Sequence, residues 1–241
     1  MKQEPNRFYI TGDTHGEFNR IKKFICEHNT TKDDVLIILG DAGINYSLVG
    51  KLDGRSREVK EELAKFPLTL FCIHGNHEER PYNVEGYELQ EHFGAPAYVN
   101  PKYPNQIFAK DGEIYDLGGF KTLVIGGAYS VDKWYRLAGR GRWFESEQPT
   151  KEIKEYVEQT CEKNDWKVDI VLTHTCPTET EPRHLFLPFI DQESVDKSTE
   201  QWLQTIADRL TFKKWYFGHF HGDWENGNYE MLFEKIKEYK E

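Results

Sequence analysis

The chain has 241 residues, of which 38% are hydrophobic and 14% aromatic, which is ample for one sizeable core. Its formal net charge of −10 argues against binding to long duplex DNA or to an anionic membrane, because both require many positive contacts. No stretch reaches the roughly 18 apolar residues of a membrane helix, and the first residues contain no apolar leader. We therefore expect a cytoplasmic protein that does not bind membranes.

The organisation of the chain is simple at the level of sequence. It has no internal repeat and no Pro- or Ser-rich linker, so we expect a single domain over residues 1–241. The four cysteines are far apart and form no CxxC pair, which predicts reduced thiols rather than disulfides or a thiolate zinc site. The oligomeric state is left open by these observations.

The first half of the chain alternates between strand-like and helix-like segments. Apolar residues at helical spacing predict a helix over residues 17–29. A continuous apolar run at residues 35–39 is typical of a strand covered on both faces. The other elements predicted in this half are a strand at 7–11, a helix at 56–65 and a strand at 68–73.

The second half adds a hairpin and two further helices. Gly118 and Gly119 separate strand-like runs at 113–117 and 121–125, and both glycines accept the positive φ of a tight turn. Ser198 and Gln201 form a capping-box pattern before a predicted helix. The remaining predicted elements are a helix at 151–164 and strands at 168–173, 213–217 and 229–233. Strands that alternate with helices in this way predict an α/β fold with two sheets between helices.

Clusters of polar residues follow five of these predicted strands. Because ligands of α/β sheets bind outside the carboxyl ends of the strands, we expect these clusters to converge in space. Carboxylate, amide and imidazole donors without thiolates suit manganese, iron, nickel or zinc, and seven donors suit two ions that share a bridge. Manganese is favoured for an intracellular enzyme. The predicted metal ligands are Asp13, His15, Asp41, Asn76, His174, His219 and His221.

The ordered set of motifs DxH, GD, GNH, H and GHxH, which runs from Asp13 to His221, resembles the calcineurin-like metallophosphoesterase family. The resemblance implies a four-layer αββα sandwich in which helices flank two mixed β-sheets. It also implies hydrolysis of a phosphomonoester or phosphodiester, with catalytic roles for Asp41 and His77. By that resemblance Asp41 bridges two metals, and His77 contacts the phosphoryl group or the leaving oxygen. Two such cations lower the pKa of bound water from about 15.7 towards about 7, which supplies a bridging hydroxide as nucleophile.

The resemblance divides the remaining ligands between the two metals. Residues that match Asp13, His15 and His221 hold the first metal in this family, and residues that match Asn76, His174 and His219 hold the second.

The sequence departs from the protein-phosphatase branch of this family in its second motif. That branch continues as GDxxDRG, whose arginine binds the substrate phosphate, whereas Ile44 and Asn45 occupy the matching positions here. A phosphoprotein substrate is therefore disfavoured. We expect phosphate contacts from Asn45 and from residues 129–144, the basic-aromatic segment, which carries Arg136, Arg140 and Arg142.

Aromatic residues interleaved with these arginines can stack on a base, so a small phosphorylated substrate such as a nucleotide or an RNA end is favoured. The alternative interpretation of the basic-aromatic segment is a surface loop with solvated arginines. An alternative for the whole protein is a catalytically silent, metal-bound scaffold of the same fold. The complete ligand set and an intact His77 favour the enzyme.

Overall fold

The computed structural model describes residues 7–46 and 54–241, which form two mixed β-sheets with helices on their outer faces. The predicted α/β sandwich is thereby confirmed. The helices are α1 (Asn19–His28), α2 (Gly54–Leu63), α3 (Lys133–Tyr135), α4 (Lys151–Lys163) and α5 (Ser198–Ala207), and α3 continues into a wider helical segment at Arg136–Arg140.

The first sheet has the strand order β13-β1-β2-β3-β6-β5-β4. Strands β1, β2, β3 and β6 run parallel to one another, and β13, β5 and β4 add antiparallel pairs at the two sides. The strands are β1 (Phe8–Thr11), β2 (Val35–Ile38), β3 (Thr69–Cys72), β4 (Glu88–His92), β5 (Ala95–Val99), β6 (Gln106–Ala109) and β13 (Lys237–Glu238).

The second sheet has the strand order β11-β12-β10-β9-β8-β7. Its centre is parallel from β8 to β12, and the hairpin β7–β8 turns at Gly118 and Gly119 as predicted. The strands are β7 (Ile114–Leu117), β8 (Phe120–Ile125), β9 (Ile170–Thr173), β10 (Lys214–Phe217), β11 (Trp224–Asn226) and β12 (Tyr229–Met231).

The period-2 geometry of the strands explains the uninterrupted apolar runs. In β2, Val35 and Ile37 belong to the core between the sheets, which also contains Leu172 of the second sheet. Their neighbours Leu36 and Ile38 pack on the opposite face, against side chains from α1 and α2. A third core lies between the second sheet and helices α4 and α5. Both faces of each sheet are therefore buried, as the runs predict.

Two of the differences from the sequence-based expectations concern the start of α5 and the edge of the first sheet. The capping-box prediction is wrong, because Asp196 accepts the hydrogen bond from the backbone N–H of Ser198 at 2.9 Å. Ser198 is thus drawn into the first turn of α5, and its hydroxyl donates to Gln148 instead. The hairpin β4–β5 was not predicted from the sequence, since β4 at the sheet edge has no fully buried residue.

Every helix in the described ranges is too short or too polar to span a bilayer.

Candidate metal centre and active site

The seven predicted ligands follow the carboxyl ends of parallel strands in the two sheets. Loops after β1, β2 and β3 of the first sheet carry ligands, and loops after β9 and β10 of the second sheet carry the rest. Since these strand ends lie at one edge of the sandwich, the loops bring their side chains together. The structure thus places side chains up to 208 positions apart in direct proximity: Asp13, His15, Asp41, Asn76, His174, His219 and His221.

The first group of donors comprises Asp13, His15 and His221. The Nε2 atoms of His15 and His221 lie 2.9 Å apart. The Oδ2 atom of Asp13 lies 3.7 Å from Nε2 of His15 and 3.5 Å from Nε2 of His221. All three donor atoms are within 4.8 Å of one another, so the group can hold a metal ion.

The second group of donors surrounds the side chains of Asp41 and Asn76. Oδ2 of Asp41 is 3.6 Å from Nε2 of His174, and these two with Asp13 form another set of donors within 4.8 Å. Oδ1 of Asn76 lies 2.8 Å from Nε2 of His174 and 3.1 Å from Nδ1 of His219. Asp41 stands between the groups, because its Oδ2 is also 4.0 Å from Nε2 of His15.

These spacings fit a divalent metal. Nitrogen and oxygen ligands about 2.0–2.2 Å from one ion, at angles between a right angle and tetrahedral, stand about 3–3.5 Å from each other. The donor–donor distances of both groups are close to that range. In addition, Oδ2 of Asp13 is buried and has no hydrogen-bond partner among the described residues. A cation held between the two groups of donors would satisfy this buried carboxylate oxygen.

Hydrogen bonds to the other atoms of these ligands aim the free donor atoms at the centre. Oδ1 of Asp13 accepts from the backbone N–H of His219, and Oδ1 of Asp41 accepts from that of His77. Nδ1 of His174 lies 2.7 Å from the backbone oxygen of Leu39, which leaves Nε2 for the centre. Such outer partners orient metal ligands and raise their basicity.

The amide of Asn76 is oriented in the same way. Its Nδ2 donates to the hydroxyl of Ser130 at 2.9 Å, which leaves Oδ1 for the centre. Ser130 was not predicted from the sequence. A serine that follows a strand has no pattern of its own, and only the structure shows that it contacts Asn76.

The backbone at four of the ligands is strained. His15, Asp41, His219 and His221 have φ values of 47°, 47°, 67° and 51°, in the left-handed region that residues with a Cβ avoid. Residues held in such regions cost roughly 1–3 kcal/mol each and concentrate at functional sites. The surrounding fold therefore stabilises a local geometry that would be unfavourable on its own.

Two glycines allow the ligand loops to approach one another. A Cβ at Gly75 would lie 2.0 Å from Oδ1 of Asp41, and a Cβ at Gly40 would lie 2.1 Å from Nδ1 of His174. Gly40 also has a φ of 93°. The glycines in the GD and GNH motifs are therefore required by the close packing of ligands from different strands.

Burial and charge set the protonation of the imidazoles. Burial lowers the pKa of His15 and lowers that of His219 well below its usual value, and in the absence of a metal both rings are neutral at neutral pH. Neutral imidazole is the form that binds metals. Burial acts to raise the pKa of Asp13, but His174 and the other histidines of the centre bring this pKa below its usual value. The carboxylate of Asp13, whose Oδ2 lies 3.5 Å from Nε2 of His221, raises the pKa of this imidazole.

A cavity of about 460 Å³ opens beside the metal centre, and we call it the apolar cavity. Its floor includes the predicted ligands Asp41, Asn76 and His219 together with His77. Its wall is mainly apolar and includes Val131, Leu185, Phe186, Leu187, Ile190 and Phe220. Most of this wall comes from residues 181–197, for which the sequence analysis proposed no such role. The signal was present as the apolar run Leu185-Phe186-Leu187, which no predicted element accounts for.

A second space of about 610 Å³ lies on another side of the centre, and we call it the arginine groove. It is lined by Arg136 and Arg142 of the basic-aromatic segment, together with His15, His77 and His221. Nε of Arg136 donates to Asp132 at 2.7 Å, and Arg142 donates to the backbone oxygen of Tyr46.

The four residues that were predicted to contact the substrate lie in different surroundings. Arg136 and Arg142 face the same space as the metal centre. The side chain of Arg140 lies outside the described part of the structure. Asn45 is fully buried, and its Oδ1 accepts hydrogen bonds from Lys60 at 2.8 Å and from the hydroxyl of Tyr87 at 3.0 Å. The expectation that Asn45 contacts phosphate therefore disagrees with the structure. The buried side chain of Asn45 instead connects the loop after β2 to Lys60 and Tyr87 in the interior.

A family model described as calcineurin-like phosphoesterase matches residues 6–223. The chain belongs to this family, whose members are metal-dependent and act on phosphate esters, which confirms the resemblance seen in the motifs.

Two solved structures are similar to this chain at low sequence identity. The crystal structure of TT1561 of Thermus thermophilus is similar with a TM-score of 0.51 and 14% identity, over 95% of this chain and 88% of that chain. The crystal structure of phosphopantetheinyl hydrolase (PptH) from Mycobacterium tuberculosis is similar with a TM-score of 0.44 and 16% identity, over 95% of this chain and 90% of that chain. No curated protein sequence matches this chain.

Proposed function

We propose that the protein is a phosphoesterase that uses two divalent metals to hydrolyse a phosphomonoester or phosphodiester. The observation that carries this proposal is the convergence of two donor groups on either side of Asp41. Asp13, His15 and His221 would hold one metal, Asn76, His174 and His219 would hold the second, and Asp41 would bridge them. When bound, the two ions would supply a hydroxide nucleophile and neutralise the phosphate oxygens.

The protein's own residues would orient the substrate and assist the leaving group. His77 lines both the apolar cavity and the arginine groove, and its Nε2 lies 3.9 Å from Oδ2 of Asp41. From this position it would donate a proton or a hydrogen bond to the leaving oxygen, a role worth roughly 10²–10⁴ in rate. Asp41 is expected to be the least replaceable ligand, since both groups of donors depend on it.

Manganese is the metal we favour, with iron, nickel or zinc also compatible with the ligand set. The ligands of both groups are imidazole, carboxylate and amide, and thiolates that would select a softer metal do not occur among them. Supply inside the cell then decides the metal as much as affinity does.

The proposed substrate is a small phosphorylated molecule rather than a phosphoprotein. Ile44 and Asn45 replace the residues with which the protein-phosphatase branch binds phosphate, and Asn45 is buried. Arg136 and Arg142 line the arginine groove, where a guanidinium can bind an anionic part of the substrate. A nucleotide or an RNA end is the substrate class that these arginines favour.

The competing hypothesis is a metal-bound scaffold without turnover. A scaffold does not require His77 beside a cavity large enough for a ligand, whereas an enzyme does. The arrangement around Asp41 and His77 therefore favours the enzyme.

The test is hydrolysis by protein reconstituted with manganese, nickel, zinc or magnesium in turn. Aryl phosphate monoesters, aryl phosphodiesters and nucleotides form the substrate panel, and Asp41→Asn is the matched variant. We expect hydrolysis by the wild type and a loss of at least about 10³-fold in Asp41→Asn, because both metals lose their shared ligand. Equal rates for the two proteins across the panel would contradict the proposal.

A further inference from the structure

The apolar cavity continues directly into the metal centre. Asp41, Asn76 and His219 belong to its floor and to the donor groups described above. This cavity can therefore accommodate a substituent of a phosphoryl group that is bound at the centre. Because of this continuity, the chemistry of the cavity wall describes part of the substrate.

The wall of the cavity exposes large apolar side chains. Leu187 is 47% exposed and Leu185 is 37% exposed, and Val131 on the facing segment is 37% exposed. Apolar groups left in water in a concave site of this size are typical of a ligand-binding pocket. A substituent that covers them gains affinity in proportion to the apolar area that it removes from water.

Each charged side chain of the wall has at least one polar partner, although Oδ1 of Asp132 and Oε2 of Glu200 have no hydrogen-bond partner among the described residues. Nζ of Lys197 is 3.1 Å from the carboxylate of Glu181, which is nearly fully buried. Glu200 accepts a hydrogen bond from Thr175 at 2.8 Å, and Asp132 is paired with Arg136. Glu181 and Asp132 are thus paired with cations, and burial raises the pKa of Glu200 to about 7. An anionic group in this cavity would find no lysine or arginine among the described lining residues that lacks a carboxylate partner.

We propose that the substrate carries an apolar substituent, an alkyl or aryl group, which binds in the apolar cavity while its phosphoryl group lies at the metal centre. This proposal rests on the phosphoesterase function proposed above and names a substrate class for it. A diester suits the site best, because its polar or anionic part would face the arginine groove on the other side of the centre.

The test measures how alkylphosphonates bind to the manganese-loaded full chain. The carbon–phosphorus bond of these compounds is not hydrolysed. Each compound can therefore bind with its phosphoryl group at the metal centre and its alkyl chain in the apolar cavity. Methylphosphonate, hexylphosphonate and 5-hydroxypentylphosphonate are compared, the last two being nearly equal in size. Inhibition constants against hydrolysis of bis(p-nitrophenyl) phosphate provide one readout, and titration calorimetry provides a second that does not depend on turnover.

We expect affinity to rise about threefold per added methylene, on the order of 100-fold from methyl- to hexylphosphonate. The terminal hydroxyl of 5-hydroxypentylphosphonate is expected to remove a large part of this gain, since it loses hydrogen bonds to water and the side chains of Leu185, Leu187 and Val131 offer none in return. A negative change in heat capacity that grows with chain length would accompany the binding.

A pair of exposed leucines provides the matched variants. Leu187 in the cavity wall is 47% exposed, and Leu89 on β4, which does not line the cavity, is 53% exposed. In Leu187→Asn the ratio of hexyl to methyl affinity is expected to fall several-fold, and in Leu89→Asn the ratio is expected to stay at the wild-type value.

Two kinds of failure can be told apart. If methyl- and hexylphosphonate bind with equal affinity while the aryl ester is hydrolysed, the apolar substituent is refuted and the phosphoesterase stands. If the ester is not hydrolysed and no phosphonate binds, the proposed function fails, and the substrate class fails with it.

Discussion

Replacing Gly75 by alanine tests whether the position of Asp41 controls the metal centre. The added Cβ would lie 2.0 Å from Oδ1 of Asp41 and 2.2 Å from its backbone nitrogen, whereas ordinary contacts of a Cβ begin at 3.4 Å. Asp41, or the loop that carries Gly75, must therefore shift by more than about 1 Å. Misplacement by about 1 Å in a reacting site costs on the order of 10²-fold in rate. We expect kcat/KM to fall by about that factor.

Metal affinity should fall in the same variant, because the carboxylate that joins the two donor groups is displaced. We expect manganese to bind 10–100-fold more weakly, which is the usual effect of losing the groups that orient a ligand. Calorimetric titration of the metal-free protein measures the affinity, and hydrolysis of an aryl phosphodiester measures the rate.

Gly94→Ala is the matched control for the change of residue type. Gly94 has a φ of 78° and no heavy atom within 4 Å of its Cβ position, so alanine there strains the backbone without meeting a neighbour. This variant should lose roughly 1–2 kcal/mol of unfolding free energy and keep its manganese affinity. If Gly75→Ala binds manganese and turns over like the wild type, the packing of Asp41 against Gly75 does not control the centre.

Three further variants test the roles of His77, Arg136 and Lys60. His77→Ala should slow hydrolysis by roughly 10²–10⁴ for esters with poor leaving groups and by less for p-nitrophenyl esters; equal losses would show that His77 is not the acid. Arg136→Gln should raise KM for an anionic diester by about tenfold with kcat little changed, and a loss confined to kcat would argue against a binding role. Burial lowers the pKa of Lys60 from 10.5 to about 7. Between these two pH values the unfolded state binds more protons than the folded state. The free energy of unfolding therefore rises with pH in this range, by up to about 1.4 kcal/mol per pH unit. Urea unfolding of metal-free protein at about pH 7 and about pH 9.5 measures this increase in the free energy of unfolding. The increase should be smaller in Lys60→Met than in the wild type, and an equal increase would mean that Lys60 does not titrate in this range.

The convergence of the metal ligands was predictable because it follows from sheet topology. Asp13 and Asp41 follow neighbouring parallel strands, so their strand ends lie at one edge whatever the details of the loops. His174 and His219 follow a parallel pair in the second sheet for the same reason. The placement of the motifs directly after predicted strands was therefore sufficient to predict that these residues meet.

Features that depend on long-range packing were not predictable in this way. Asn45 occupies the position of a phosphate-binding residue in the motif, but Lys60 and Tyr87 hold its side chain in the interior. Lys60 lies on α2, and Tyr87 precedes the unpredicted hairpin, so no local pattern connects them to Asn45. The apolar cavity was missed for a similar reason, since its wall joins Val131 to residues 181–197 only in the folded chain.

A manganese titration that follows binding and activity together tests whether Asp41 bridges a pair of metals. Metal-free protein should bind two equivalents of manganese per chain, with hydrolysis of an aryl phosphodiester reaching its maximum only when the second equivalent is bound. Asp41→Asn should weaken both binding steps, because each group of donors loses the same carboxylate. Full activity at one equivalent of manganese, or binding of two equivalents that is unaffected in Asp41→Asn, would contradict the bridged pair.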